Sequence, residues 1–152
     1  LPRRYTPTLS AKRTDTMCGI VGFTGRREAS PVLLEGLRRL EYRGYDSAGM
    51  ITGTGNELHL RKKSGRLAEL GKLVAAHPAP GCYGISHTRW ATHGGATDRN
   101  AHPHLDATGN IAVVHNGVIE NFATLKHQLQ GQGVQFRSDT DTEVLAHLIG
   151  RY

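Results

Sequence analysis

From residue 17 onward the chain is written in short blocks whose hydrophobic period changes from one block to the next, with turn-forming residues between them. Ile20, Val21 and Phe23 make a short buried strand. Ser30 before Pro31 offers a helix N-cap and a first-turn proline, and Leu33, Leu34, Leu37 and Leu40 recur three and four residues apart. That is the stripe of an amphipathic helix, and Gly44 is its stop. Met50-Ile51 and Leu58-His59-Leu60 flank Gly53-Thr54-Gly55-Asn56 and read as a hairpin. Leu67, Leu70, Leu73 and Val74 share one face of a second helix over residues 67–76. Strands follow at 83–85 and 111–114, then a helix over 122–129, a strand at 134–136, and a helix opening near Asp141 with Val144, Leu145 and Leu148 inward. The class is mixed α and β.

That last helix has run barely three turns at Tyr152, and no cap or tail follows it. The expectation is a domain cut short, with apolar faces of the sheet and of nearby helices left uncovered. Residues 1–16, with Pro2, Pro7 and four threonines, show neither period and read as a disordered extension or a mis-assigned start, with Met17 the true initiator. They lack the apolar stretch of a secretory signal, and their basic, acid-poor composition carries no amphipathic stripe to support a transit peptide.

Composition narrows the class further. At 152 residues and 38% hydrophobic the chain is one ordinary globular domain in size, and no run approaches the roughly 18 apolar residues a spanning helix needs. Its two cysteines, Cys18 and Cys82, form neither a disulfide framework nor a CxxC pair, which points to the cytoplasm and away from a membrane. The net charge of +6 suggests nucleic acid until it is divided: Arg3, Arg4, Lys12 and Arg13 against Asp15 put +3 of it in residues 1–16. The rest of the chain has no basic run longer than Arg61-Lys62-Lys63, and its aromatics do not interleave with cations, so no nucleic-acid partner is expected. Nine histidines invite a metal, yet His102-Pro103-His104 cannot set both rings on one helical face and no His-Glu-x-x-His occurs, so none is expected.

Four polar clusters stand at strand ends: Met17-Cys18-Gly19, residues 87–94 (His-Thr-Arg-Trp-Ala-Thr-His-Gly), His115-Asn116-Gly117 and residues 138–143 (Ser-Asp-Thr-Asp-Thr-Glu). Each has an ordinary structural reading. A lone cysteine before an apolar strand is usually core, Asn-Gly is a common turn, and Thr140-Asp141 with Glu143 is a normal helix start. Cys18 rises above its ordinary reading through Met17. Removal of an initiator Met17 would leave the thiol beside a free α-amine of pKa roughly 7.7–8.0, a base able to take the thiol proton. The nucleophile would then carry its own base.

Met17-Cys18-Gly19-Ile20-Val21-Gly22, the run Leu-Leu-Glu-Gly-Leu-Arg-Arg-Leu-Glu-Tyr-Arg-Gly-Tyr-Asp-Ser-Ala-Gly at 33–49, the 87–94 motif, Asn-Ala-His-Pro-His at 100–104, His-Asn-Gly and Thr-Asp-Thr-Glu-Val at 140–144 occur in order. Together they resemble the glutaminase domain of the isomerising glutamine-fructose-6-phosphate aminotransferases, or glucosamine-6-phosphate synthases, across residues 17–152. The 43–49 and 89–94 motifs separate it from other amidotransferases with an N-terminal cysteine.

The resemblance implies an α+β N-terminal-nucleophile hydrolase fold, a four-layer αββα sandwich of two antiparallel sheets, incomplete in this chain. It implies that Cys18 attacks the carboxamide of L-glutamine, with the Asn116 side chain and Gly117 N–H as oxyanion donors, through a thioester that releases ammonia and then glutamate. Glutamine's carboxylate and ammonium call for one cation and one anion, and the motifs assign these to Arg89 and Asp141. Trp90, Thr92 and His93 fall in a loop that closes over the substrate, and Arg43 receives no chemical step. Fructose 6-phosphate would be met only by an isomerase domain absent here, in an enzyme that is homodimeric at full length and needs no cofactor. A retained 1–17 segment would turn the Cys18 amine into an amide, and the chain would then be a glutamine-binding module without turnover.

Overall fold

The computed structural model describes residues 18–152, so Met17 and the 1–16 segment lie outside the described residues. Strand β1 (Gly19–Thr24) leads to helix α1 (Ala29–Leu40), whose last turn tightens at Glu41–Arg43 and ends at Gly44 with φ 74°. Strands β2 (Ser47–Thr54) and β3 (Glu57–Ser64) form the expected hairpin. Its turn is shorter than the Gly-Thr-Gly-Asn reading: β2 runs through Thr54, and only Gly55-Asn56 lies between the strands. Gly55 takes φ 58° and Asn56 does not turn positive, which is the demand of a II′ turn. Helix α2 (Leu67–Ala76) falls where its leucine period puts it, and strand β4 (Tyr83–Arg89) runs four residues beyond the expected 83–85.

These strands form one antiparallel sheet in the order β1-β4-β2-β3. Its register decides where the chemistry collects. Gly19 pairs with Thr88, and Ser47 pairs with Arg89, so the head of β1, the tail of β4 and the head of β2 share one end of the sheet. Helices α1 and α2 cover one face, with Leu33, Leu37, Leu67 and Leu70 packed on Ala48 and Met50. Gly49 lets the other face be approached closely, since a Cβ there would sit 2.0 Å from the His102 carbonyl oxygen. The covering segment leads into the second sheet, β5 (His104–Leu105) against β6 (Ala112–Val113), which is backed by helix α4 (Thr142–Ile149), with α3 (Phe122–Gly131) packed against α4. Four layers result, helices on the outside and two antiparallel sheets between. Away from the Arg89 end that face is open, leaving a cleft of about 500 Å³ lined by Ile51, Leu58, Tyr83 and Ile85. Ile20, Val118 and Ile149 are exposed.

Three local readings are corrected. Ser30 lies inside α1, not at its cap, and its hydroxyl donates to the Ala79 carbonyl, tying the helix to the loop before β4. Residues 134–136 form no strand: Val134 N–H bonds back to Leu129 O, and Phe136 lies edge-on to His147 under the Lys126 ammonium. A strand needs a partner's ladder, and none lies beside this segment among the described residues. In α4 the buried face holds Glu143, Val144, Ala146 and His147, while Leu145 and Leu148 are only half-buried. Among the described residues no helix is long and apolar enough to cross a membrane.

Candidate active site

Cys18 sits one residue before β1 at the shared sheet end. Its Sγ accepts the Trp90 N–H at 3.2 Å, where the chain leaves β4. Thr88 Oγ1 accepts the N–H of Gly19 at 3.1 Å, fixing the strand head beside it. A cleft of about 110 Å³ opens here, lined by Cys18, Arg89, Trp90, Thr92, Gly117 and Asp141, with His87, His102, His115, Val118 and Thr142 completing its wall. Six of the eight site residues named from sequence therefore meet in one place, from four separate segments. Asn116 borders it: its Nδ2 donates to the Cys18 carbonyl oxygen at 3.1 Å, and its Oδ1 faces His87 Nε2 at 2.7 Å. His93 does not line the cleft; its ring stands edge-on to Phe122 at 4.9 Å.

Arg89 is 3% exposed, and burial lowers its pKa while Asp46, Cys18 and Asp141 pull the other way. A guanidinium stays charged nonetheless. It donates to the carbonyls of His93, Gly94 and Gly95, holding the loop after β4 in place. Asp46, which heads β2, accepts the Ala91 N–H at 2.6 Å and anchors the start of the same loop. Asn100 closes its far end, giving Nδ2–H to Gly95 O at 3.0 Å and accepting the Asp139 N–H at 3.0 Å. Asp141 precedes α4 without capping it; its Oδ2 accepts the Ile119 N–H at 2.8 Å, which ties the 117–119 turn to the helix start. One cation and one anion thus face a single cleft at whose edge the sulfur lies.

Behind the cleft the interior is polar. The His87 and His102 rings stack at 4.3 Å, and His104 stands edge-on to His102 at 4.7 Å. Burial pushes His87 down to about 4, and it holds His102 and His104 below the ordinary histidine range as well, with Lys62, Arg89 and the neighbouring rings pushing the same way. All three rings are neutral at pH 7. From His104 Nε2 a chain runs through Thr140 Oγ1 (2.9 Å) and Ser138 Oγ (3.0 Å) to the Glu143 carboxylate, which also accepts the N–H groups of Arg137 and Ser138 at 2.7 Å each. The basic run 61–63 is occupied with internal partners: Arg61 donates to three carbonyls, Lys62 to Arg99 O, and Lys63 pairs with Asp98. That pairing, with the N–H and hydroxyl of Ser64, holds Asp98 down to about 2. Burial lowers Lys62 to about 8.

The wall histidines are not among the site residues that the sequence singles out. His87, His102 and His115 each stand inside a motif quoted above, so the signal was present, but nothing local says that their rings are buried.

Two antiparallel sheets between helices, with a cysteine at the head of the first strand, are the architecture of an N-terminal-nucleophile amidotransferase. A family model described as a glutamine amidotransferase domain matches residues 55–152, and the chain belongs to that family. Among curated relatives, the glutamine–fructose-6-phosphate aminotransferases (isomerizing) of Mycobacterium tuberculosis and Thermus thermophilus are 59% and 58% identical over 89% and 88% of this chain. The chain spans 22% of the length of each. The solved glutamine phosphoribosylpyrophosphate amidotransferase of B. subtilis, complexed with ADP and GMP, superposes with a TM-score of 0.74 at 34% identity, over 88% of this chain and 29% of that one. A structure titled as the allosteric regulatory enzyme of purine biosynthesis gives 0.75 at 37% identity and the same coverage.

Proposed function

We propose that this chain is the glutamine-hydrolysing part of a longer enzyme that makes glucosamine 6-phosphate and glutamate from fructose 6-phosphate and glutamine. The observation that carries the reading is the convergence of Cys18, Arg89 and Asp141 on one small cleft whose edge is closed by the Asn116–Cys18 hydrogen bond. Its support for the particular reaction is the identity to the aminotransferases above, all several times longer.

In the mature protein Cys18 is residue one, and its α-amine takes the thiol proton. The thiolate attacks the glutamine carboxamide carbon, and the oxyanion is met by Asn116 Nδ2–H and Gly117 N–H. Losing one such donor typically costs about 2.7–4 kcal/mol in the barrier. The amine returns the proton to the departing nitrogen, ammonia leaves, and a γ-glutamyl thioester stays on Cys18. Water then attacks the thioester and glutamate is released. Arg89 holds the substrate carboxylate and Asp141 its ammonium, while Trp90, Thr92 and His93 belong to the loop that excludes water. No step requires a metal or cofactor. Ammonia passes to a sugar-phosphate domain elsewhere in the longer protein, which acts in the cytoplasm as a homodimer.

The test is glutamate release from glutamine by the full-length protein, combined with mass analysis of its N-terminus. Release that stops in Cys18→Ala, with a free Cys18 amine, supports the reading. An acylated Cys18 nitrogen in working protein overturns the hydrolytic role and leaves glutamine binding alone.

A further inference from the structure

The Asn116 amide has two unlike ends, an oxygen that only accepts and a nitrogen that only donates, and a half-turn of its terminal torsion exchanges them. The orientations are of similar shape and opposite chemistry. With Nδ2 beside Cys18 the amide can donate to a developing oxyanion; with Oδ1 there it would repel one. Catalysis therefore needs the orientation held, and the structure shows two contacts that hold it. Nδ2 donates to the Cys18 carbonyl at 3.1 Å, and an amide oxygen facing His87 Nε2 at 2.7 Å obliges that nitrogen to be the donor. The His87 ring is itself immobilised, with no exposed surface, lying on His102 with 21° between planes. Burial keeps the ring neutral, and the positive charge of Arg89, two residues along β4, adds to that.

We propose that His87 is a positioning residue of the reaction above: its Nε2–H bond to Asn116 Oδ1 keeps the Asn116 amide turned so that Nδ2 faces the nucleophile. The proposal rests on the amidotransferase reading. Because β4 pairs with β1 through Ile20↔His87, the ring is carried by the same ladder that begins at Gly19, the residue after Cys18.

The test uses full-length protein. His87→Phe keeps a flat ring on His102 but removes the donor; it is expected to lower kcat for glutamate release about ten-fold or more while moving the glutamine KM little. His87→Gln, whose side-chain amide can still donate to Asn116 Oδ1, is expected to recover most of the rate. In an Asn116→Ala background His87→Phe should cost almost nothing further, because the group it orients is gone. Equal losses in both backgrounds, or full kcat in His87→Phe, overturn the proposal. A second measurement needs no variant: ¹⁵N shifts of His87 in the unmodified protein should report a protonated Nε2 and a bare Nδ1, and a bare Nε2 overturns it too. If unmodified protein releases no glutamate, the amidotransferase reading falls and this proposal with it. Normal release with additive losses sinks the positioning role alone.

Discussion

On the proposed reading one guanidinium, that of Arg89, has two tasks. Its terminal nitrogens donate to the carbonyls of His93, Gly94 and Gly95, and of its five N–H donors only Nε–H and one Nη1 hydrogen stay free for a substrate carboxylate. The planar fork serves both sides of the group at once, which an ammonium cannot do. Arg89→Lys in full-length protein is therefore expected to raise the glutamine KM at least about ten-fold and to lower the melting temperature as the loop carbonyls lose donors. An unchanged KM refutes the carboxylate assignment. Gly49 makes a different demand, of space. A Cβ there meets His102 O at 2.0 Å and Arg61 O at 3.1 Å, both backbone atoms that cannot swing aside. Gly49→Ala should cost about 1–3 kcal/mol of stability, measured as a drop in denaturation midpoint; a neutral result means that the covering segment yields. In the sequence Gly49 stands only as part of a motif, since the chain that crosses it lies more than fifty residues away.

Periodic elements were legible because their cause is local. Leu67 and Leu70 are buried on α2 where their spacing puts them, and Leu33 and Leu37 do the same on α1. The boundaries and the unpaired segment at 134–136 were not legible, because a strand exists only by virtue of its neighbour. The loop after β4 shows the same dependence from the functional side. Trp90 and Thr92 reach the cleft because Asp46, Asn100 and Arg89 at the end of β4 pin the loop. Asn100 is 1% exposed and bridges Gly95 to Asp139. Replacing it with Ala unfastens the loop from the segment that leads to Asp141. Asn100→Ala is expected to speed proteolytic cleavage within residues 91–97 and to raise the glutamine KM with less effect on kcat. Protection equal to that of the unmodified protein would mean that Arg89 and Asp46 suffice.

At the scale of the molecule, the two sheets meet through polar rings instead of an apolar core, and this sets how the fold answers to acid. His87, His102 and His104 are all buried between the layers. Burial holds His87 down to about 4 and the other two lower still, against about 6.5 in an unfolded chain. The unfolded state thus binds protons that the folded state refuses. Stability contributed by these groups is fully present well above pH 6.5 and is lost as the pH falls through it, down to about 4 for His87 and further for the other two. Each ring's slope grows from about 0.7 kcal/mol per pH unit at pH 6.5 toward about 1.4 near pH 5, so all three together rise from about 2 toward about 4. Asp98 adds its own loss only below the ordinary carboxylate range, since its folded value is about 2. Hydrogen exchange at the β4 amides of the full-length protein, corrected for intrinsic rates between pH 5 and 6.5, should show the opening free energy falling with acid at that slope. His104→Asn should remove one third of it if the three rings titrate independently. A flat profile would mean that the rings gain protons without the layers parting, and would place the junction of the two sheets within reach of solvent.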